Sequence, residues 1–133
     1  MRFVAVCGIA LLLAGCGGTD SGVPIPAELG RVKGRVTLDG RPLAGALILF
    51  VPPQDVDPWR ESKAVTDENG LYDLVYFDET FGASPAVHQV SITCPDPQNV
   101  EKQIIPARYN IESTLERTVV AGENTFDFDL TSP

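Results

Sequence analysis

Residues 31–40 read RVKGRVTLDG. The order of apolar and charged residues in this stretch decides the fold class. Val32, Val36 and Leu38 fall on one side of an extended chain, and Arg31, Lys33, Arg35 and Thr37 fall on the other. Side chains of a strand alternate between its faces, so the stretch reads as a half-buried strand with its charged side outward. Asp39-Gly40 follows, a pair that tolerates positive φ and so closes a tight turn.

The same kind of run recurs along the chain, with no long segment of period 3.6. Residues 46–51 (ALILFV) are apolar on both faces, as expected of a central strand covered on both sides. Pro52-Pro53 stops that run, because proline cannot donate to a ladder. Residues 63–66 and 71–77 flank the turn Asp67-Glu-Asn-Gly70, and Tyr72, Leu74 and Tyr76 share one face. Residues 87–94 alternate cleanly, with His88, Val90, Ile92 and Cys94 on one side. Residues 95–112 read as a long irregular stretch. Residues 114–120 suit a strand or the start of a short helix, since Arg117 falls in phase with Leu115 and Val119. The last run, TFDFDL at 125–130, sets Phe126, Phe128 and Leu130 inward and Asp127 and Asp129 toward water. These seven short runs, with turns about every ten residues, predict an all-β fold: a seven-stranded antiparallel Greek-key β-sandwich. The charges of the first run and the prolines beside the second read as protection of sheet edges.

A longer pattern spans the same residues. Val32, Gly34, Val36, Leu38, Gly40, Pro42, Leu43, Gly45 and Ala46 are followed by Phe50 and Pro52, then by Thr66, Asp67, Gly70, Tyr72 and Leu74. With this spacing the chain resembles the carboxypeptidase regulatory-like domain. Its later residues, IPARYN through GENTFDFDL, are similar to the ending of small bacterial lipoproteins built from one such domain. The resemblance covers residues 31–130 and implies a transthyretin-like (prealbumin-like), immunoglobulin-like sandwich. Its glycines and prolines are turn chemistry, so it marks architecture and not a reaction. A hydrolase of 5-hydroxyisourate shares that fold and relies on more than one histidine and a Tyr-Arg-Gly-Ser ending. This sequence has a single histidine and closes on Leu130-Thr-Ser-Pro, so the hydrolase reading fails at its active residues.

The start of the sequence concerns location. Arg2 precedes an apolar run from Phe3 to Ala14, too short to cross a bilayer as a helix, which needs about 20 residues. It has the size of a secretory signal core. Leu13-Ala14-Gly15-Cys16 then resembles the bacterial lipobox, in which cleavage falls just before the cysteine and the cysteine is acylated. The resemblance implies a signal peptide over residues 1–15, a lipid on Cys16, and membrane attachment through it. More than one acyl chain gives a firm anchor, at about 0.8 kcal/mol per buried CH2. The absence of Asp after Cys16 favours the outer membrane by analogy with lipoprotein retention rules. Residues 16–30 form the lipidated cysteine and a Gly/Ser/Thr/Pro-rich tether, whose stretched reach is about 45 Å. Residues 31–133 form one domain, about large enough for a single core without cross-links.

Net charge is −8, with 18 acidic and 10 basic side chains and no block of one sign. That argues against a nucleic-acid partner, whose phosphates demand a basic face. Of the three cysteines, Cys7 lies in the signal and Cys16 is the lipid site, so Cys94 has no partner for a disulfide. A lone thiol on an apolar strand face reads as core. His88 on an apolar face reads as a buried, satisfied histidine before a base or ligand, and zinc would need more ligands. Asp67, Glu68 and Asn69 read as turn residues before a calcium loop. No catalytic set, metal site or cofactor motif is expected. The candidate ligand contacts are Trp59 with Arg60 in one loop and Tyr109 in another. The expected role is a non-catalytic binding or structural module of the cell envelope, with a protein or glycan partner. The alternative is a carbohydrate-binding or enzyme-accessory module using Trp59.

Overall fold

The computed structural model describes Pro26 and residues 28–133. The expected signal peptide, Cys16 and most of the expected tether lie outside the described residues. Two sheets face each other, and the first is organised around strand β1 (Gly30–Leu38). On one side β1 pairs antiparallel with β2 (Arg41–Pro42) and β5 (Leu71–Asp73). On the other it pairs in parallel with β12 (Gly122–Thr125) and then β13 (Phe128–Leu130). The second sheet contains β3 (Leu47–Val51), β4 (Ser62–Val65), β6 (Val75–Phe77), β7 (Thr80–Phe81), β8 (Ala86–Thr93) and β11 (Leu115–Val119). Its order is β11-β8-β3-β4-β6-β7, antiparallel throughout. A separate hairpin, β9 (Pro95–Asp96) with β10 (Asn99–Gln103), and a 3-10 turn at Ala107–Tyr109 lead into β11. The protein is an all-β sandwich.

The core follows the alternation. Val32, Val36, Ile48, Phe50, Leu74, Val90, Ile92, Phe128 and Leu130 are buried between the sheets. Burying such a side chain contributes about 1.5–3 kcal/mol. Phe50 is the hub: its ring centroid lies 5.7 Å from His88, 6.2 Å from Phe126 and 6.4 Å from Phe128.

Residues 71–77 keep Tyr72, Leu74 and Tyr76 buried, yet they form two strands instead of one. At Leu74 the chain passes from the first sheet to the second. The Leu74 amide still donates to the Val32 carbonyl, while the Leu74 carbonyl accepts from Gly82. The sheets are joined again where Gly30 and Ala83 exchange two backbone hydrogen bonds of 2.9 Å. Residues 125–130 are also divided. At Phe126 and Asp127 the ladder with β1 is interrupted, and the Asp127 carboxylate accepts the Arg35 amide in place of a backbone carbonyl.

Four expectations need correction. The strand pairs are not all antiparallel, since β1 runs parallel to β12 and β13. The charges of β1 do not protect an edge, because β1 is flanked on both sides, as is β3 beside the Pro52-Pro53 stop. The outer face of β3 is not covered: Ile48 and Phe50 are buried, but Leu47 is exposed and Leu49 and Val51 are half-buried. Residues 95–112 are not irregular, since they hold a hairpin and a 3-10 turn. Residues 115–119 resolve as strand, and Arg117 tolerates its core-side phase by laying its guanidinium over the Phe128 ring at 4.8 Å.

The glycine- and threonine-bearing motif has a physical role. The Thr66 hydroxyl accepts from the Ala46 amide and donates to the Leu43 carbonyl, and the Gly45 amide donates to the Thr66 carbonyl. Gly70 adopts φ +74°, and a Cβ there would stand 2.4 Å from the Val36 carbonyl oxygen. Only glycine meets both demands.

Candidate functional site

Lys33 and Arg35 lie on the outer face of β1, two residues apart, with their stems separated by about 6.6 Å along the strand. Gly34 between them belongs to the inner face. A Cβ there would stand 1.9 Å from the Phe126 carbonyl oxygen and 2.9 Å from the Tyr72 ring. Its lack of a side chain lets the interrupted β12–β13 segment close onto β1. Tyr72 locks that approach by donating its hydroxyl to the Phe126 carbonyl. Burial, with the Asp127 charge second, pushes the phenol well above its ordinary pKa, so it remains a donor.

The result is a hollow of about 410 Å³ across three neighbouring strands. Lys33, Gly34 and Arg35 form its middle, Leu71 and Tyr72 one wall, and Thr125 and Asp127 the other. A second depression of about 490 Å³ adjoins it and shares Lys33, Leu71 and Tyr72, so a groove runs past the exposed Leu71 side chain. Neither cation of the hollow is tied up. Arg31 makes a two-pronged bond to Asp73 at 2.8 and 2.5 Å, and that bond raises its pKa. Arg60, Arg108 and Arg117 each donate to a backbone carbonyl. Among the described residues, Arg35 and Arg41 are the arginines whose guanidinium donates no hydrogen bond. The Asp127 Oδ1 accepts the Arg35 backbone amide at 2.9 Å.

The candidate contacts read from the sequence fall elsewhere. Trp59 is 43 % exposed, and its indole N–H donates to the Pro52 carbonyl at 3.1 Å, which fixes the ring. Arg60 lies beside it, donates to the Tyr76 carbonyl and stacks over Phe77 at 4.5 Å. Strand pairing puts this loop at the end of the sandwich where β8 begins. Tyr109 is at the opposite end, bonded to Thr131 beyond β13. Those bonds lower its pKa. The structure therefore brings Trp59 and Arg60 together but leaves Tyr109 apart from them.

His88 is fully buried, and its Nε2 pairs with the Ser84 carbonyl at 2.7 Å. Burial holds its pKa below the ordinary value. It has no route to a substrate. The Asp67 carboxylate accepts the amides of Asn69 and Leu71, the arrangement of a turn residue. Cys94 is a buried free thiol whose pKa burial pushes up.

Sequence reasoning passed over Lys33, Arg35, Leu71, Thr125 and Asp127 as outward residues of ordinary strands. Gly34 was the available signal: a glycine inside a strand, between two cations, marks a close backbone approach.

No family model matches the chain. No curated protein matches it either. Among solved structures, a 9R-lipoxygenase from Cyanothece PCC8801 aligns at 18 % identity with a TM-score of 0.38, over 84 % of this chain and 18 % of that one. So slight a likeness carries no argument about fold or activity.

Proposed function

We propose that this chain is a lipid-anchored, non-catalytic binding or structural module of the cell envelope, held outside the cytoplasm by acyl groups on Cys16. The observation that carries the reading is Leu13-Ala14-Gly15-Cys16 at the end of a short apolar run behind a single arginine. Acylation there would fix residues 28–133 to a membrane through the intervening tether. The non-catalytic part draws support from His88, which is buried and engaged with Ser84. We also place the sandwich with the carboxypeptidase regulatory-like domains. Support comes from the Thr66 and Gly70 contacts, which give the shared motif a structural purpose.

The test is metabolic labelling with a palmitate analogue in a bacterium expressing the full chain, followed by fractionation. Label and membrane retention are expected for the native sequence, and neither for Cys16→Ala. An unlabelled native chain, or a Cys16→Ala chain still held in membranes, would overturn the anchor. A glycan-gripping accessory role is the second reading, favoured by the fixed, exposed ring of Trp59. A glycan array blank for the native protein would remove it, whereas signals lost in Trp59→Ala would sustain it.

A further inference from the structure

We propose that the hollow around Lys33, Arg35, Leu71, Thr125 and Asp127 binds a hydroxylated monoanion, a uronate-type acidic sugar or a comparable hydroxy acid. This inference does not rest on the lipid anchor. Its first support is charge. Lys33 and Arg35 stand side by side on one strand face, neither of them in an ion pair, over a hollow of about 410 Å³. That volume falls within the range of roughly 300–1,000 Å³ typical of small-molecule sites.

The second support is the disposition of Asp127. One of its oxygens is fixed by the Arg35 amide, which holds the carboxylate at the wall of the hollow as an acceptor. An acceptor there suits ligand hydroxyls and disfavours a bare dianion. Arg35 offers a planar fork that matches a carboxylate, and Lys33 a second positive charge. The Thr125 hydroxyl can donate or accept, and the exposed Leu71 side chain suits the C–H face of a sugar ring. Arg31 is excluded from this work by its bond to Asp73.

The third support is rigidity. Gly34, the Tyr72–Phe126 bond and the Phe126 amide bonded to Lys33 hold the walls in register on three strands. A site on strands keeps its geometry without ordering a loop on binding.

The test uses the full chain as purified from the expressing cell, 15N-labelled and kept in detergent, titrated with sodium glucuronate, glucose or inorganic phosphate while amide shifts are followed. Saturable shifts at Gly34, Leu71 and Thr125 are expected with glucuronate, at least about tenfold weaker apparent affinity for glucose, and no preference for phosphate. Lys33→Gln and Arg35→Gln should each weaken glucuronate binding about tenfold, as loss of one charge-assisted hydrogen bond implies. Arg41→Gln, at another unbonded arginine, should leave it unchanged. No saturable shift with glucuronate, equal response to glucose, or full affinity in Lys33→Gln and Arg35→Gln would overturn the proposal. Tighter binding of phosphate than of glucuronate would also overturn it, since it would mark a simple anion site. Unchanged shifts outside the hollow in each variant's spectrum confirm that the variant is folded.

Discussion

Replacing Thr66 with valine removes one hydroxyl and almost no volume. Thr66 is 5 % exposed, and the groups it serves belong to Ala46 and Leu43, themselves 0 % and 7 % exposed. Two hydrogen bonds disappear, the Ala46 amide at 2.9 Å and the Leu43 carbonyl at 2.5 Å. Water cannot readily replace either. An unsatisfied buried donor or acceptor costs about 1–3 kcal/mol, and the added methyl of valine returns less than about 1 kcal/mol. The net loss should be about 2–4 kcal/mol, a large share of the roughly 5–15 kcal/mol that holds a domain folded. Thr66→Ser provides the contrast: it keeps the hydroxyl, loses one methyl, and should cost about 1 kcal/mol. Equilibrium urea unfolding reads both. With a slope of about 1–3 kcal/mol per molar urea, the valine midpoint should fall by about 1–2 M and the serine midpoint by about half a molar. Equal midpoints for the two variants would refute the claim that this hydroxyl ties residues 43–46 to the turn at 67–70.

Three further outcomes follow from the same structure. Gly34→Ala should destabilise by about 3 kcal/mol, the upper end of an overpacking cost, because its Cβ meets a backbone oxygen that cannot swing aside; a loss of stability below about 0.5 kcal/mol would contradict the close approach. His88 titrates with a lowered pKa in the folded state, so below about 6.5 the unfolded chain takes up the proton first. Stability should be full above about pH 6.5 and fall as pH drops toward the folded pKa, by up to about 1.4 kcal/mol per pH unit. Unfolding at pH 7.5, 6.5 and 5.5 should show that slope in the native chain and lose it in His88→Gln; an unchanged slope in the variant would assign it elsewhere. Cys94 should resist a thiol reagent in the folded protein and react on unfolding in urea, since it is 4 % exposed with a raised pKa; prompt native labelling would contradict its burial.

The fold class was legible because period-2 alternation reports burial directly. Val32 and Val36 on β1, and Phe128 and Leu130 on β13, lie where that pattern puts them. Pairing was less legible, because alternation fixes which face is buried and not which strand lies alongside. Hence the charged face of β1 read as an edge, although β1 is flanked on both sides. The crossing at Leu74 was hidden for a related reason: Tyr72, Leu74 and Tyr76 remain inward on both sides of it. The second apolar face of residues 46–51 suggested cover that the sandwich does not supply. The hollow escaped notice because its walls come from residues 33–35, 71–72 and 125–127, which the antiparallel pairing of β1 with β5 and its parallel pairing with β12 and β13 bring together. Trp59 was legible as an aromatic in a proline-rich loop. Its bond to the Pro52 carbonyl was not, since no local pattern announces it.

The most direct measurement of the central claim is intact-mass and N-terminal peptide analysis of the protein extracted from bacterial membranes. The account expects a chain that starts at Cys16, with fatty acyl mass on that residue and none elsewhere. A chain that starts at another residue, or an unmodified Cys16, would contradict it.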